Sequence, residues 1–319
     1  MFLAADIGGT KTLLALGDAG GICWQRRYDN DSFDGPLALL ATFLDEARTG
    51  AGSAPILGSC LALAGPVDVG ARQARLTNRP WTVDAATLAR QLPIGPVSLL
   101  NDFAASAAGI GTLAPAEYLT LQPGRTENAA PRLALGPGTG LGVAACLPPA
   151  GILASEGGHV AFAPADAEQQ DLLAFLRLRH GLRHIGVERV VSGVGLRDCY
   201  DYCAGARPEA IGKLTPAEVS QRALAAADPQ CVRALDIFLA VFGAFAGDLA
   251  LCFLARGGVY LLGGIVPKVS PRLAAGPFLA AFNDKGEHAP LAATMPVHAV
   301  LAEDMALRGA LAQACASRG

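Results

Sequence analysis

The sequence predicts a mixed α/β protein of about two domains, on three observations. Short β-rich runs separated by glycine turns open the chain: FLAADI, GGTK, TLLALGD, AGG and ICWQRRYD. Helix-period and strand-length apolar runs then alternate as far as LLNDFAASAAG. A hairpin with a glycine-rich tip recurs in mid-chain, where Arg132 to Leu135 enters GPGTG and LGVAACL leaves it. With 319 residues, 52% hydrophobic and 17% charged, the chain can bury two ordinary cores. Aromatic residues are only 6%, so those cores must be mostly Ala, Leu and Val.

Each element has a local cause. The opening runs read as a meander of antiparallel hairpins. Gly35-Pro36 starts a segment with Leu37, Leu40, Leu44 and Ala47 on one helical face. ILGSCLALAG reads as a strand stopped by Pro66, Asp84 as the cap of a short helix through Leu92, and VSLL as a fifth strand. Farther on, Gln169 to Leu178 and Cys231 to Leu254 read as long helices, GGVYLLGGIV as a strand and Asp304 to Ala314 as a closing helix. No low-complexity linker separates the halves, which predicts a shared interface.

Several function classes are excluded. A net charge of −3, with no Lys/Arg run, argues against nucleic acid as a partner. The N-terminus has no basic leader, and the longest apolar run, Ile237 to Leu254, is interrupted by Asp248 and glycines, so neither a signal peptide nor a membrane span is expected. The expectation is a soluble cytoplasmic protein. Eight scattered cysteines read as buried thiols; Cys199 and Cys203 are one helical turn apart, without a second pair to complete a zinc site.

Chemistry concentrates at the glycine turns. In DIGGTKT, Gly8 and Gly9 let a bare backbone present N–H groups to an anion, and Thr10, Lys11 and Thr12 add hydroxyls and an ammonium suited to phosphate. It is not a Walker P-loop. GPGTGLG repeats the device with Gly138, Thr139 and Gly140, and it leads into a strand, unlike a dinucleotide fingerprint. Gly263 and Gly264 in LLGGIVPK suit either a flat ring lying close to the backbone or a packing turn. At LLND, Asp102 suits either a helix N-cap or a general base at a strand end. Asp6 reads as a turn residue or as a carboxylate orienting hydrated Mg²⁺.

Taken in order, DIGGTKT, LALAGPV, LTNRPW, LLNDFAASAAG, GPGTGLG, SEGGHVAFAP, ERVVSGVGL and LLGGIVPK resemble the bacterial glucokinase family of the hexokinase, actin and Hsp70 superfamily, over nearly the whole chain. The resemblance implies a two-domain actin-like ATPase, ribonuclease H-like fold with an interdomain cleft, divided as 1–108 completed by a C-terminal helix at 299–319, and 109–298. It implies ATP-dependent phosphorylation of the 6-hydroxyl of glucose, Mg²⁺ with the nucleotide, and a homodimer. Asp102 matches the general base; Asn101, Glu156, His159 and Glu188 match the sugar ligands. Asp6, residues 8–12 and Gly138 to Gly140 match the phosphate hairpins, and Gly263 and Gly264 the adenosine turn. Thr77 and Asn78 are further candidates for the sugar side.

One departure is GGTK where the family commonly has GGTN, as in the related ROK kinases and repressors. The absence of a cysteine cluster after His159, and of a helix-turn-helix before the first hairpin, favours the non-ROK group. A ROK-like sugar-responsive regulator, a kinase of another hexose and an acyl-phosphate-forming kinase remain as alternatives.

Overall fold

The computed structural model describes all residues except Ala51, Ser53, Val69, Ala71, Asn78, Ile211, Arg318 and Gly319. Contacts divide the chain into a first unit, Met1–Leu113 with Asp304–Gly319, and a second, Ala114–Glu303.

The first unit opens as the glycine turns predict, with β1 (Phe2–Ile7), β2 (Lys11–Asp18) and β3 (Gly21–Asp29) in antiparallel succession. Helix α1 (Pro36–Gly50) leads to β4 (Ser59–Leu63). A small three-stranded sheet follows: β5 (Val67–Asp68), β6 (Gln73–Arg75) and β7 (Thr82–Asp84). Its strands are too short to show alternation, and the sequence reading missed it. Asp84 caps α2 (Ala85–Gln91), accepting from the Thr87 N–H at 2.6 Å. Then β8 (Val97–Asn101) runs straight into α3 (Asp102–Gly109). The main sheet has the order β3-β2-β1-β4-β8, with β1, β4 and β8 parallel.

Side chains alternate across this sheet. Leu3, Ala5 and Ile7 face a core with Leu39, Leu40, Phe43 and Leu44 of α1. Leu37, expected on that face, is 38% exposed, because the buried stripe is carried by Leu39 and Phe43. The opposite face offers the small residues Ala4, Ala15, Cys60 and Ala62 to Leu307, Ala310 and Leu311 of the last helix.

The second unit contains β9 (Tyr118–Gln122), β10 (Arg132–Pro137), β11 (Leu141–Leu147), β12 (Gly151–Ser155), α4 (Ala167–His180), α5 (Gly193–Cys203), α6 (Pro216–Leu224) and α7 (Pro229–Phe253). It continues through β13 (Gly258–Leu261), α8 (Val266–Ala275), α9 (Phe278–Asn283), α10 (Ala289–Thr294) and β14 (Val297–Val300); α11 (Met305–Ala316) then returns to the first unit. Its sheet order is β12-β11-β10-β13-β14-β9. The first five strands repeat the arrangement of the first unit, two antiparallel pairings and then two parallel ones, with β9 added on the edge. That duplicated topology is the ribonuclease H-like, actin-type fold.

Helix α7 is long and apolar enough to cross a membrane by length and composition, but 61% of its most apolar stretch is buried inside the unit. Phe238, Phe242 and Ala246 pack there against Phe278 and Phe282. Asp248, which interrupts the apolar run, pairs at the surface with Lys285 at 2.8 Å. Cys199 and Cys203 are both buried in α5, and no metal-competent group of three His, Cys, Asp or Glu occurs among the described residues.

Helices α3 and α11 meet almost backbone to backbone at Gly309, where a Cβ would overlap the Ala105 carbonyl. Ala is intrinsically better than Gly in a helix by about 1 kcal/mol, whereas overpacking costs about 1–3 kcal/mol. Gly309→Ala is therefore expected to lower the thermal unfolding midpoint. Gly111→Ala, where a Cβ meets nothing within 4 Å, should leave it unchanged.

Candidate functional site

The turn between β1 and β2 is closed by the Gly8 N–H donating to the Lys11 carbonyl at 3.0 Å. Behind it sits the buried Asn30. Its Nδ2 donates to the Gly8 carbonyl at 2.9 Å and its backbone N–H to the Thr10 carbonyl at 2.8 Å. Thr12 corrects the sequence reading: it is fully buried and its hydroxyl donates to Asn30 Oδ1 at 2.7 Å, so it braces the turn and offers no hydroxyl to an anion. Thr10 and Lys11 are exposed. A second brace is Arg79, which donates to the Gly9 carbonyl at 3.1 Å, pairs with Asp31 at 2.7 Å and lies 4.5 Å over the Trp81 ring. The sequence reading named neither Asn30 nor Arg79; the RPW of LTNRPW was the only signal for the second. Thr77 donates its backbone N–H to the Ala64 carbonyl at 3.0 Å, and Asn78 lies outside the described residues.

At the β8–α3 junction the N-cap is Asn101, not Asp102. Asn101 Oδ1 accepts from the N–H groups of Phe103 at 2.9 Å and Ala104 at 3.3 Å, and its Nδ2 donates to the Gly65 carbonyl at 3.3 Å. An amide nitrogen has two hydrogens, so one remains for a ligand. Asp102 is the first helical residue, where the macrodipole favours a negative charge, and the Phe103 N–H also reaches its Oδ1 at 2.8 Å.

Asp6 lies one residue from the end of β1, in register with Ala62 of β4, which pairs in turn with Leu100 of β8. Burial first, and then the charge of Asp102, push the Asp6 carboxyl from 3.8 up to about 6, against an opposing pull from Arg27. The folded state thus holds this proton more tightly than the unfolded chain, and stability falls as pH rises from about 4 to about 6. With divalent cations chelated, the unfolding midpoint should drop more across that window in the wild type than in Asp6→Asn. Equal responses would assign the effect elsewhere.

In the second unit, the turn Gly138–Thr139–Gly140 is closed by the Gly138 N–H donating to the Gly140 carbonyl at 2.7 Å. The Gly138 carbonyl accepts from the N–H of Gly193 at 3.0 Å, the first residue of α5. After β13, the Leu262 N–H donates to Leu135 at 2.9 Å and the Ile265 N–H to Pro137 at 3.4 Å, which seats Gly263 and Gly264 beside the same hairpin. Three of the four candidate sugar ligands also gather here. Glu188 accepts the Leu141 N–H at 2.9 Å, and the His159 ring lies 3.8 Å from Glu156 and 4.0 Å from Glu188. His159 is fixed from behind, its carbonyl lying 2.8 Å from His184 Nε2.

Gly140 and Glu188 are interlocked, since a Cβ on Gly140 would fall on the Glu188 carboxylate. Gly140→Ala should strip the Leu141 N–H of its acceptor, at about 1–3 kcal/mol of stability. In a Glu188→Ala background the same change should cost less, which a double-mutant cycle in urea reads directly.

A family model described as Glucokinase matches residues 3–317. Among curated relatives, a glucokinase of Synechocystis sp. is 36% identical, covering 97% of this chain and 96% of the relative. A glucokinase of Chromobacterium violaceum is also 36% identical, covering 97% and 88%. Among solved structures, a glucokinase from an Antarctic psychrotroph gives a TM-score of 0.87 at 29% identity, covering 98% of each chain. A ROK family glucokinase from Streptomyces griseus, solved with glucose and AMPPNP, gives 0.66 at 19% identity over 100% and 99%, a likeness of fold alone. These findings support the kinase reading and not the sugar-responsive regulator: the chain belongs to the glucokinase family.

Proposed function

We propose that this member of the glucokinase family transfers the γ-phosphoryl group of ATP to the 6-hydroxyl of glucose with Asp102 as general base, the two units serving as its small and large domains. The observation that carries the assignment is the division of labour at the β8–α3 junction. Asn101 takes the capping role, and the Asp102 carboxylate stands in the first turn of the helix, where the macrodipole favours a negative charge. A sugar hydroxyl is a weak nucleophile, and a carboxylate that accepts its proton as the new bond forms removes that obstacle. The hydroxyl oxygen then bonds to phosphorus, the bond from phosphorus to the bridging oxygen breaks, and ADP leaves with that oxygen.

Asn101 holds the sugar beside the base through its remaining amide hydrogen, and Glu156, His159 and Glu188 bind sugar hydroxyls. The first turn offers the N–H groups of Gly9 and Thr10, with Lys11, to the phosphates, and the second those of Thr139 and Gly140, while the Gly8 and Gly138 N–H groups close their turns. Gly264, where a Cβ would meet nothing within 4 Å, leaves room for the adenosine, whereas Gly263, at φ +90° and against the Pro137 carbonyl, is required by the turn itself.

Mg²⁺ fits the donor set. Mg²⁺ is commonly held through one or two carboxylates and water together with substrate phosphates. The raised Asp6 carboxyl, next to a second negative charge, is a group that a divalent cation would relieve. Asp6 would hold the ion, which neutralises triphosphate charge when bound. The names of the curated relatives, glucokinases at 36% identity over nearly the whole chain, support glucose as the acceptor. The reading also carries a cytoplasmic homodimer at the entry to glycolysis, with no nucleic-acid partner; light scattering after size exclusion tests the dimer.

Asp102→Asn should lower kcat by about 10²–10⁴ while the KM for glucose stays within a few-fold. Near-normal sugar-dependent ADP release from a folded variant would remove Asp102 from the base role. A matrix of ATP, ADP and polyphosphate against a panel of hexoses, with Mg²⁺ present, tests donor and acceptor together.

A further inference from the structure

We infer that Arg79 is a positioning residue for the first phosphate turn: by gripping the Gly9 carbonyl it aims the Thr10 N–H at the nucleotide. This rests on the reading that the turn takes ATP phosphates. A trans peptide is planar, with its C=O and N–H pointing in opposite directions. Holding a carbonyl from one side therefore fixes where the next residue's N–H points. Asn30 Nδ2 holds the Gly8 carbonyl at 2.9 Å, which orients the Gly9 N–H. Arg79 Nη1 holds the Gly9 carbonyl at 3.1 Å, which orients the Thr10 N–H. The remaining carbonyls of the turn are also engaged, Thr10 by the Asn30 N–H and Lys11 by the Gly8 N–H. Among the described residues, neither the Gly9 nor the Thr10 N–H has a protein acceptor.

Two successive N–H groups of this kind form an anion-binding concavity. A flipped Gly9–Thr10 peptide would instead present a carbonyl oxygen to the phosphate and repel it. Glycine offers no steric resistance to such a flip, so the restraint must come from elsewhere, and Arg79 supplies it. The guanidinium is itself held: Trp81, 6% exposed, lies under it, and Asp31 takes its second nitrogen at 2.7 Å. The Asp31 side chain is 84% exposed, so water screens that pair, and the ring and the Gly9 carbonyl define the pose.

The test is calorimetric binding of Mg-ATP and of AMP to the full chain and to Arg79→Met, which keeps an apolar stem on Trp81 and loses the donor. We expect Mg-ATP to bind about tenfold more weakly and AMP to bind within twofold of wild type. In Arg79→Ala, millimolar guanidinium should restore part of the Mg-ATP affinity where matched sodium chloride does not. Unchanged Mg-ATP binding in Arg79→Met, or an equal loss for Mg-ATP and AMP, would overturn the inference, the second because it reports a general structural defect. A wild type that binds no nucleotide overturns both this inference and the kinase reading. A wild type that binds Mg-ATP but makes no glucose 6-phosphate overturns the kinase reading alone, and the binding comparison still decides the role of Arg79.

Discussion

The parallel register of β1, β4 and β8 decides where Asp6, Asn101 and Asp102 lie. Asp6 stands opposite Ala62, and Ala62 opposite Leu100, so the last residues of these strands reach one edge of the sheet together. A slip of one residue would exchange the faces, burying Asp6 against α1 and turning Ile7 out of the core. The large side chains Leu3, Ile7, Leu61 and Leu63 on one face and the alanines on the other make that slip costly. The apolar pattern thus fixes the position of the carboxylates.

The second unit uses the same strand plan for a different purpose. Two of its parallel strands, β10 and β13, end at glycine turns, and the polar groups come from loops that pack onto the hairpin: Glu188 on the Leu141 N–H, and the Glu156–His159 turn beside it. In the first unit polar side chains stand at strand ends, while in the second loop side chains join backbone groups. The hairpin carbonyls in both units are engaged by the protein itself, through Asn30 and Arg79 in one and Gly193 in the other.

Much of this was legible in the sequence, for physical reasons. The opening hairpins, α1, α2, β8 and α11 carry periodicity or caps, and the structure has them within a few residues of the expected limits. The strands β5, β6 and β7, of two or three residues, are too short for any periodic signal. Thr12 was misjudged because a hydroxyl beside a glycine turn reads as a ligand until the fold brings Asn30, eighteen positions away, beneath it. Arg79 was missed for the same reason, since its target Gly9 is seventy residues distant. At LLND two adjacent polar residues compete for the cap, and only the hydrogen bonds of the folded chain show that Asn101 takes it.

The last helix has a consequence for how the chain is made. Helix α11 covers the alanine face of the first sheet through Leu307, Ala310 and Leu311, yet it follows the entire second unit in sequence. A ribosome delivers residues in order, and domains fold as they emerge. The second unit, contiguous from Ala114 to Glu303, is complete before α11 exists. The N-terminal sheet, although synthesised first, must wait with Ala4, Ala15, Cys60 and Ala62 uncovered. The first unit therefore cannot finish folding until the whole chain has been made, and until then the uncovered face of its sheet is open to aggregation.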